Sequence, residues 1–164
     1  IDQTIEMVDP LLAPIAPSVS AWNDLYCVGY GYTYPVAMEG ALKLKEITYA
    51  HCEGMLSTEF KHGPLSAVSK GFPILFAAGP DDVPLIVSGL NEVTCRGARA
   101  IAIGEDDPRL HANASDMIVL PDSTPEIASL LAVLPLQLLS YHMSVLRGFD
   151  PDFPRNLSKT LTVD

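Results

Sequence analysis

Apolar runs alternate with helix-like segments along this chain, and this alternation constrains its fold more than any other feature. Continuous apolar runs at residues 72–78, 99–103 and 116–120 predict buried strands, and residues 25–28 predict another. Helix signals stand between them: one helix from residue 34 to about 51, a second ending near residue 96, and a long apolar helix beginning near residue 125. Apolar strands separated by helices form parallel sheets that are covered on both faces. The pattern therefore predicts an α/β domain with three layers, α/β/α, around a parallel sheet.

The helix predicted from residue 34 carries three charged residues on one face. At about 100° per residue, Glu39, Lys43 and Glu46 fall within one narrow stripe. Such pairs are common on solvated helix faces, where each contributes roughly a few tenths of a kcal/mol. Apolar residues border this stripe on both sides, namely Val36, Ile47, Leu42 and Tyr49. This border favours a partly desolvated groove, in which we expect Glu46 to be mostly buried and in which a glutamate can become a useful base.

A histidine in a predicted turn is the next candidate. His62 stands beside Gly63 and Pro64, so a loop presents its imidazole. A loop histidine is also often a plain surface residue, and both interpretations stay open. No other histidine or cysteine stands at ligand spacing from it, so we expect no metal. The Gly-Tyr-Gly run at residues 29–31 follows a predicted strand, but Tyr34 occupies the third glycine position of a dinucleotide-binding motif, so we expect no nucleotide cofactor.

Charge and cysteine content narrow the functional class. The net charge is −10, with 20 acidic and 10 basic residues. Such a surface repels phosphate backbones and anionic lipids, so we expect neither nucleic acid nor a membrane surface as a partner. Polar residues interrupt the apolar stretch 127–146, which therefore predicts a buried helix of a soluble domain. The three cysteines are an odd number without a C-x-x-C pair, which fits a reducing cytoplasm.

The two ends of the chain predict its organisation. It begins with Ile1 and shows no signal-peptide pattern, so we expect a fragment of a longer protein. Closely spaced prolines at Pro10, Pro14 and Pro17 predict short helical pieces in a linker from a preceding domain, residues 1–17. The main domain is expected at residues 18–155, and residues 156–164 form a polar C-terminal tail.

Four stretches resemble the second sugar-isomerase (SIS) domain of the glutamine:fructose-6-phosphate amidotransferase family, also called glucosamine-6-phosphate synthases. They are residues 31–46, 59–64 (EFKHGP), 135–142 (PLQLLSYH) and 154–164 (PRNLSKTLTVD). The resemblance implies the SIS fold, a five-stranded parallel sheet that is doubly wound in the flavodoxin-like manner. It also implies cytoplasmic amino-sugar biosynthesis, in which fructose 6-phosphate and glutamine become glucosamine 6-phosphate and glutamate.

The resemblance assigns roles to particular residues. It implies that Glu46 is the base that moves a proton between C1 and C2 of the open-chain sugar. His62 would open the sugar ring and reach across a dimer interface, and Lys159 would meet the ketose carbonyl as a Schiff-base lysine. The implied substrate-binding residues are Glu39, Lys43 and Ser158. The implied partners are fructose 6-phosphate, glucosamine 6-phosphate, a second copy in a homodimer, and the preceding SIS and glutaminase domains of the parent chain.

Two parts of the family pattern are missing from these residues. They are the glutaminase domain, with its N-terminal cysteine nucleophile, and the first SIS copy, whose Ser/Thr-rich loop grips the sugar phosphate. We therefore expect the isolated fragment to be inactive. Two other functions stay open: a non-catalytic SIS module that senses sugar phosphates, and a phosphosugar isomerase or deglycase without a glutaminase domain. A sensor has no need of a carbonyl-reactive lysine such as Lys159. The sequence preceding Ile1 would distinguish an amidotransferase from an isomerase or deglycase without a glutaminase domain.

Overall fold

The computed structural model describes residues 1–157, and these fold around one five-stranded parallel sheet with strand order β2-β1-β3-β4-β5. The strands are β1 (Asp24–Gly29), β2 (His51–Leu56), β3 (Pro73–Ala77), β4 (Arg99–Gly104) and β5 (Asp116–Val119). The helices are α1 (Asp2–Leu12), α2 (Ala16–Ser20), α3 (Tyr34–Thr48), α4 (Ser57–Phe60), α5 (Val83–Thr94), α6 (Pro108–Asn113) and α7 (Pro125–Leu146). Two short 3-10 turns lie at Gly31–Thr33 and Pro64–Ala67. The predicted three-layer α/β/α architecture is confirmed.

Alternate side chains of the central strands supply the two halves of the core. In β3, Leu75 points into the cluster shared with α1, α2, α3 and α7, whereas Ile74 and Phe76 point into the cluster shared with α5. Ile101 of β4 joins the first cluster and Ala102 the second. Because both faces are covered, these strands are apolar throughout, as the sequence pattern predicted. Each fully buried Leu or Ile side chain stabilises the fold by about 1.5–3 kcal/mol.

The predicted end of helix α3, near residue 51, is wrong by about three residues. Helix α3 ends at Thr48, where Tyr49 takes a left-handed conformation with φ 59°, and the chain then forms β2 from His51. The sequence pattern missed this strand, because β2 is an edge strand in which only Cys52 is fully buried. An edge strand of this kind needs no continuous apolar run.

Two glycines allow α3 to lie close to its neighbours. A Cβ atom on Gly40 would lie 2.5 Å from Cδ1 of Leu136 in α7. A Cβ atom on Gly54 of β2 would lie 2.7 Å from Cα of Met38 in α3. Backbone atoms therefore make glycine necessary at residue 54, whereas at residue 40 a larger residue would force the Leu136 side chain to move. Both close contacts orient the helix that carries the predicted site residues.

The N-terminal residues and α7 pack together. Val8 and Leu12 of α1 are fully buried, and Nε2 of His142 in α7 lies 2.6 Å from Oδ1 of Asp9. Helix α7 is long and apolar enough to cross a membrane by length and composition alone. Its buried face, which includes Leu136, instead lies in the core against α3. The division of the chain into a linker at residues 1–17, a domain and a tail stays a prediction.

Candidate functional site

Three charged side chains of α3 form one connected group. Nζ of Lys43 lies 2.6 Å from Oε2 of Glu46 and 3.7 Å from Oε1 of Glu39. The hydrogen bond with Glu46 raises the pKa of Lys43, and the charge of Glu39 adds to this, although burial opposes it. Lys43 is thus a cation at neutral pH that holds both carboxylates by charge-assisted contacts.

Glu46 is less buried than the sequence predicted. Its side chain retains 27% of its accessible surface, close to the 31% retained by Lys43. The exposure arises because Glu46 and Lys43 face a cavity and not the hydrophobic core. Such a position leaves the carboxylate accessible to a substrate while one side is enclosed by protein.

A cavity of about 920 Å³ lies in front of Glu46. One wall comes from α3 and the other from the chain that follows α7; the lining residues are Lys43, Glu46, Ile47, Pro151, Asp152, Phe153, Pro154 and Leu157. A second cavity of about 460 Å³ shares Glu46 and Leu157 with the first. Glu39 lines neither cavity and touches the site only through Lys43. The larger volume is enough for a small ligand such as a sugar phosphate.

The structure does not bring His62 to this cavity. His62 lies exposed in the turn after α4 and lines neither of the two cavities that contain Glu46. The turn is supported from below by Phe60, which is buried and packs edge-on against Tyr26 at 5.1 Å between ring centroids. The buried Phe60 therefore holds the turn in place while the imidazole of His62 points toward solvent.

Ser158 and Lys159 lie outside the described residues. The last described residue, Leu157, lines both cavities that contain Glu46. Ser158 follows Leu157 directly in the sequence.

The sequence did not predict the contact that holds the chain after α7 against the end of α3. The backbone N–H of Arg155 donates to Oη of Tyr49 at 3.0 Å, and the Arg155 guanidinium lies 3.7 Å from the centre of the Tyr49 ring. Tyr49 was noted only as an apolar neighbour of the charged stripe. No local pattern reports this contact, because the two residues are far apart along the chain.

A second feature that the sequence pattern missed is the acidic end of the sheet. The ends of β1 and β3 form the topological switch point, where doubly wound folds usually bind ligands. There the carboxylate of Asp82 lies against two glycines, Gly31 and Gly79. A Cβ atom added to Gly31 would lie 3.2 Å from Oδ2 of Asp82, and one added to Gly79 would lie 3.0 Å from the same oxygen. Burial, followed by the charge of Asp81, raises the pKa of Asp82. An anionic phosphate is disfavoured at this position.

The fold and the site define a doubly wound parallel α/β domain with a lysine–carboxylate group on the wall of an open cavity. The sequence pattern of the SIS domain family matches residues 18–147. The chain therefore belongs to the SIS domain family.

Individual relatives agree with this assignment. The chain is 46% identical over 153 residues to the glutamine–fructose-6-phosphate aminotransferase (isomerizing) of Methanothermobacter thermautotrophicus, covering 92% of this chain and 26% of that protein. It is 40% identical over 165 residues to the Pyrococcus horikoshii protein of the same name, covering 100% of this chain and 27% of that one. The chain thus spans about a quarter of the length of these curated relatives.

A solved structure gives the same result. The C-terminal domain of glucosamine-fructose-6-phosphate aminotransferase from Francisella tularensis superposes with a TM-score of 0.78 at 35% identity, covering 91% of this chain and 45% of that one. The five-stranded parallel sheet expected from the resemblance is confirmed.

Proposed function

We propose that this chain supplies the acid–base groups of a sugar-phosphate isomerisation within a glutamine–fructose-6-phosphate aminotransferase. The reaction would convert fructose 6-phosphate and glutamine into glucosamine 6-phosphate and glutamate. The observation that carries the proposal is the 2.6 Å contact between Lys43 and Glu46 on the wall of a cavity large enough for a sugar phosphate. The names of the two archaeal relatives support the substrate.

In this mechanism, Glu46 moves one proton between adjacent carbons. Its carboxylate removes a proton from C1 of the open-chain fructosimine and returns it to C2, while the C1 hydroxyl loses its proton and the imine nitrogen gains one. C1 thereby becomes an aldehyde and C2 an amine-bearing carbon. A base positioned within reach of the proton contributes about 10²–10⁴-fold to such a step. Lys43 donates a hydrogen bond to the Glu46 carboxylate and so orients it toward the cavity.

His62 and the tail residues complete the proposed machinery. His62 would open the sugar ring in the active site of a second copy, which its exposed position permits. Lys159 would form an imine with the ketose carbonyl, and it would attack in its unprotonated form. Ser158 and Glu39 would support substrate binding beside them. A homodimer and preceding SIS and glutaminase domains are part of this proposal.

A cytoplasmic location belongs to the same proposal. Cys27 and Cys52 are buried as free thiols with their Sγ atoms 3.6 Å apart. Their burial and mutual hydrogen bond raise the pKa of Cys27 well above its usual value, with the hydrogen bond as the larger cause. Unreactive thiols of this kind fit a reducing compartment.

The position of Asp82 disfavours the alternative of an independent sugar-phosphate sensor. A sensor needs its own phosphate site, and the switch point of this sheet presents the Asp82 carboxylate to both Gly31 and Gly79. The proposed enzyme needs no such site here, because a phosphate loop would come from the first SIS copy.

The test is the Glu46→Gln variant of the natural full-length protein. We expect isomerisation to fall by about 10²-fold or more, because glutamine cannot accept the proton. Glu126→Gln, on the exposed first turn of α7, is the matched control and should keep wild-type activity. Equal thermal unfolding of both variants would show that folding is intact, and near-normal activity of Glu46→Gln would remove Glu46 from the mechanism.

A further inference from the structure

The side chain of Arg147 joins the ends of three helices. Arg147 is the C-terminal cap of α7. Its Nη1 donates to the carbonyl of Thr48, the last residue of α3, at 2.8 Å. Its Nε and Nη2 donate to the carbonyl of Ser20, the last residue of α2, at 3.2 and 3.0 Å, and Nη2 also donates to the carbonyl of Trp22. One guanidinium thus holds the C-terminal ends of α2 and α3 at the end of α7.

The charge of Arg147 suits these partners. The last carbonyls of a helix have no partner within the helix and carry partial negative charge, so a cation is favourable there. Within residues 1–157, every hydrogen bond of this guanidinium goes to a backbone carbonyl. Burial lowers the pKa of Arg147, but an arginine stays protonated in proteins. A lysine could replace the charge of Arg147 but not its pattern of hydrogen bonds, because an ammonium is a single point charge.

The direction of the chain after Arg147 is fixed as well. The backbone N–H of Gly148 donates to the carbonyl of Val145, and that of Phe149 donates to the carbonyl of Ser144, both at 3.0 Å. Gly148 takes the left-handed conformation with φ 74°. This pair of hydrogen bonds with a left-handed glycine is the Schellman ending of a helix. The position of Arg147 therefore determines where the residues after α7 begin.

Arg147 lies between the two walls of the larger cavity. Thr48, which its side chain holds, follows Glu46 by two residues on α3. The opposite wall begins at Pro151, four residues after Arg147. The contacts of this one side chain therefore set the separation of the two walls at the end of α3.

We propose that Arg147 is a positioning residue for the isomerisation: it holds the end of α3 against the end of α7 and so keeps Glu46 facing the opposite wall of the cavity. This inference rests on the proposed role of Glu46. Arg147 lines neither cavity that contains Glu46, so it acts on a substrate only through α3 and the wall. A cavity of fixed width limits the access of water, so Glu46 returns the abstracted proton to the sugar before it exchanges with solvent.

Two variants of the natural full-length protein remove the contacts of Arg147 to different extents. Arg147→Ala removes the guanidinium, whereas Arg147→Lys keeps the charge and one donor group. Arg96→Ala is the matched control, because Arg96 is exposed and, within residues 1–157, its guanidinium contacts only Glu92 and Cys95 at the end of its own helix.

The readout is the fate of deuterium placed at C1 of fructose 6-phosphate, with glutamine supplied. Mass spectrometry compares the abstracted deuterium that arrives at C2 of glucosamine 6-phosphate with that released to water. A loss of folded protein lowers the rate but leaves this fraction unchanged, because the fraction is set within each turnover. We expect Arg147→Ala to lower kcat about tenfold and the transferred fraction about threefold. Arg147→Lys should have smaller effects on both, and Arg96→Ala should have neither.

Chemical rescue is the second arm of the test. The alanine variant leaves space beside a cavity of about 340 Å³ that Ser20 and Thr48 also line. Added guanidinium ion can enter this space and donate to the same carbonyls. We expect it to raise the transferred fraction of Arg147→Ala, whereas potassium chloride at the same ionic strength should not.

The outcomes distinguish this inference from the proposed function. An unchanged transferred fraction in Arg147→Ala overturns the positioning role, even where the rate falls. If Arg147→Ala does not fold, an unchanged fraction in Arg147→Lys overturns it, and so does a wild-type protein that transfers no deuterium. Failure of the proposed function has another signature, since Glu46→Gln would then transfer deuterium at the wild-type rate whatever the Arg147 variants do.

Discussion

Nζ of Lys43 lies 2.6 Å from Oε2 of Glu46, and both residues line the same cavity on α3. Glu46 lies about one helical turn before Tyr49, the C-cap of α3, whose side chain contacts Arg155. Glu46, its cationic neighbour Lys43 and the opposite wall of the cavity are therefore all positioned by one helix and its C-cap. That helix is in turn fixed by close packing against α7 and β2.

The stability contribution of the Lys43–Glu46 pair should depend on pH. Because the pKa of Lys43 is raised in the folded protein, the contribution is complete below the ordinary lysine value of about 10.4 and is lost as the pH rises through the higher folded value. We expect Lys43→Met to lower the free energy of unfolding by at most about 1 kcal/mol at neutral pH, since both side chains are partly exposed. Denaturant unfolding of both proteins across this range measures the difference.

That difference should shrink above about pH 10.4 and should also shrink at high salt, since ions screen a partly exposed pair. A difference that grows with pH would show that the pair does not carry the contribution.

Gly40→Ala should destabilise the protein through a steric clash with α7. The added methyl group would lie 2.5 Å from Cδ1 of Leu136, and overpacking of this kind costs about 1–3 kcal/mol. Leu136→Ala alone should also destabilise, by opening a cavity. The double variant should lose less free energy of unfolding than the sum of the two single-variant losses, because the new methyl group occupies the vacated space. Strict additivity in denaturant unfolding would contradict direct contact.

The 164-residue chain should bind fructose 6-phosphate weakly. A phosphate site contributes several charge-assisted hydrogen bonds, each worth about 1.5–3 kcal/mol, and the switch point offers carboxylates instead. We expect a dissociation constant in the millimolar range or weaker, which corresponds to about 4 kcal/mol or less. A calorimetric or NMR titration measures it. Micromolar binding would show a phosphate site at residues 29–33 and would favour the sensor.

The fold could be predicted from the sequence where burial is complete. Strands β3 and β4 are buried on both faces, so their apolar runs identify them without other information. The edge strand β2 could not be found in this way, since Cys52 is its only fully buried residue.

The site likewise contains contacts that the sequence predicts and contacts that it does not. The stripe of Glu39, Lys43 and Glu46 depends only on helix periodicity, so the spacing predicted the Lys43 contacts. The contact between Tyr49 and Arg155 and the contact between Asp82 and Gly31 both join distant parts of the chain. Contacts of this kind arise from packing, which a single sequence does not display.

Direct observation of the proton that Glu46 is proposed to move is the most decisive test. The natural full-length protein is supplied with glutamine and fructose 6-phosphate carrying deuterium at C1, and the deuterium at C2 of glucosamine 6-phosphate is measured by mass spectrometry. The wild-type protein and the Glu126→Gln control should transfer part of the abstracted deuterium to C2 and release the remainder of it to solvent, whereas Glu46→Gln should do neither at a measurable rate. Transfer in Glu46→Gln at the wild-type rate would contradict the assignment of Glu46 as the base.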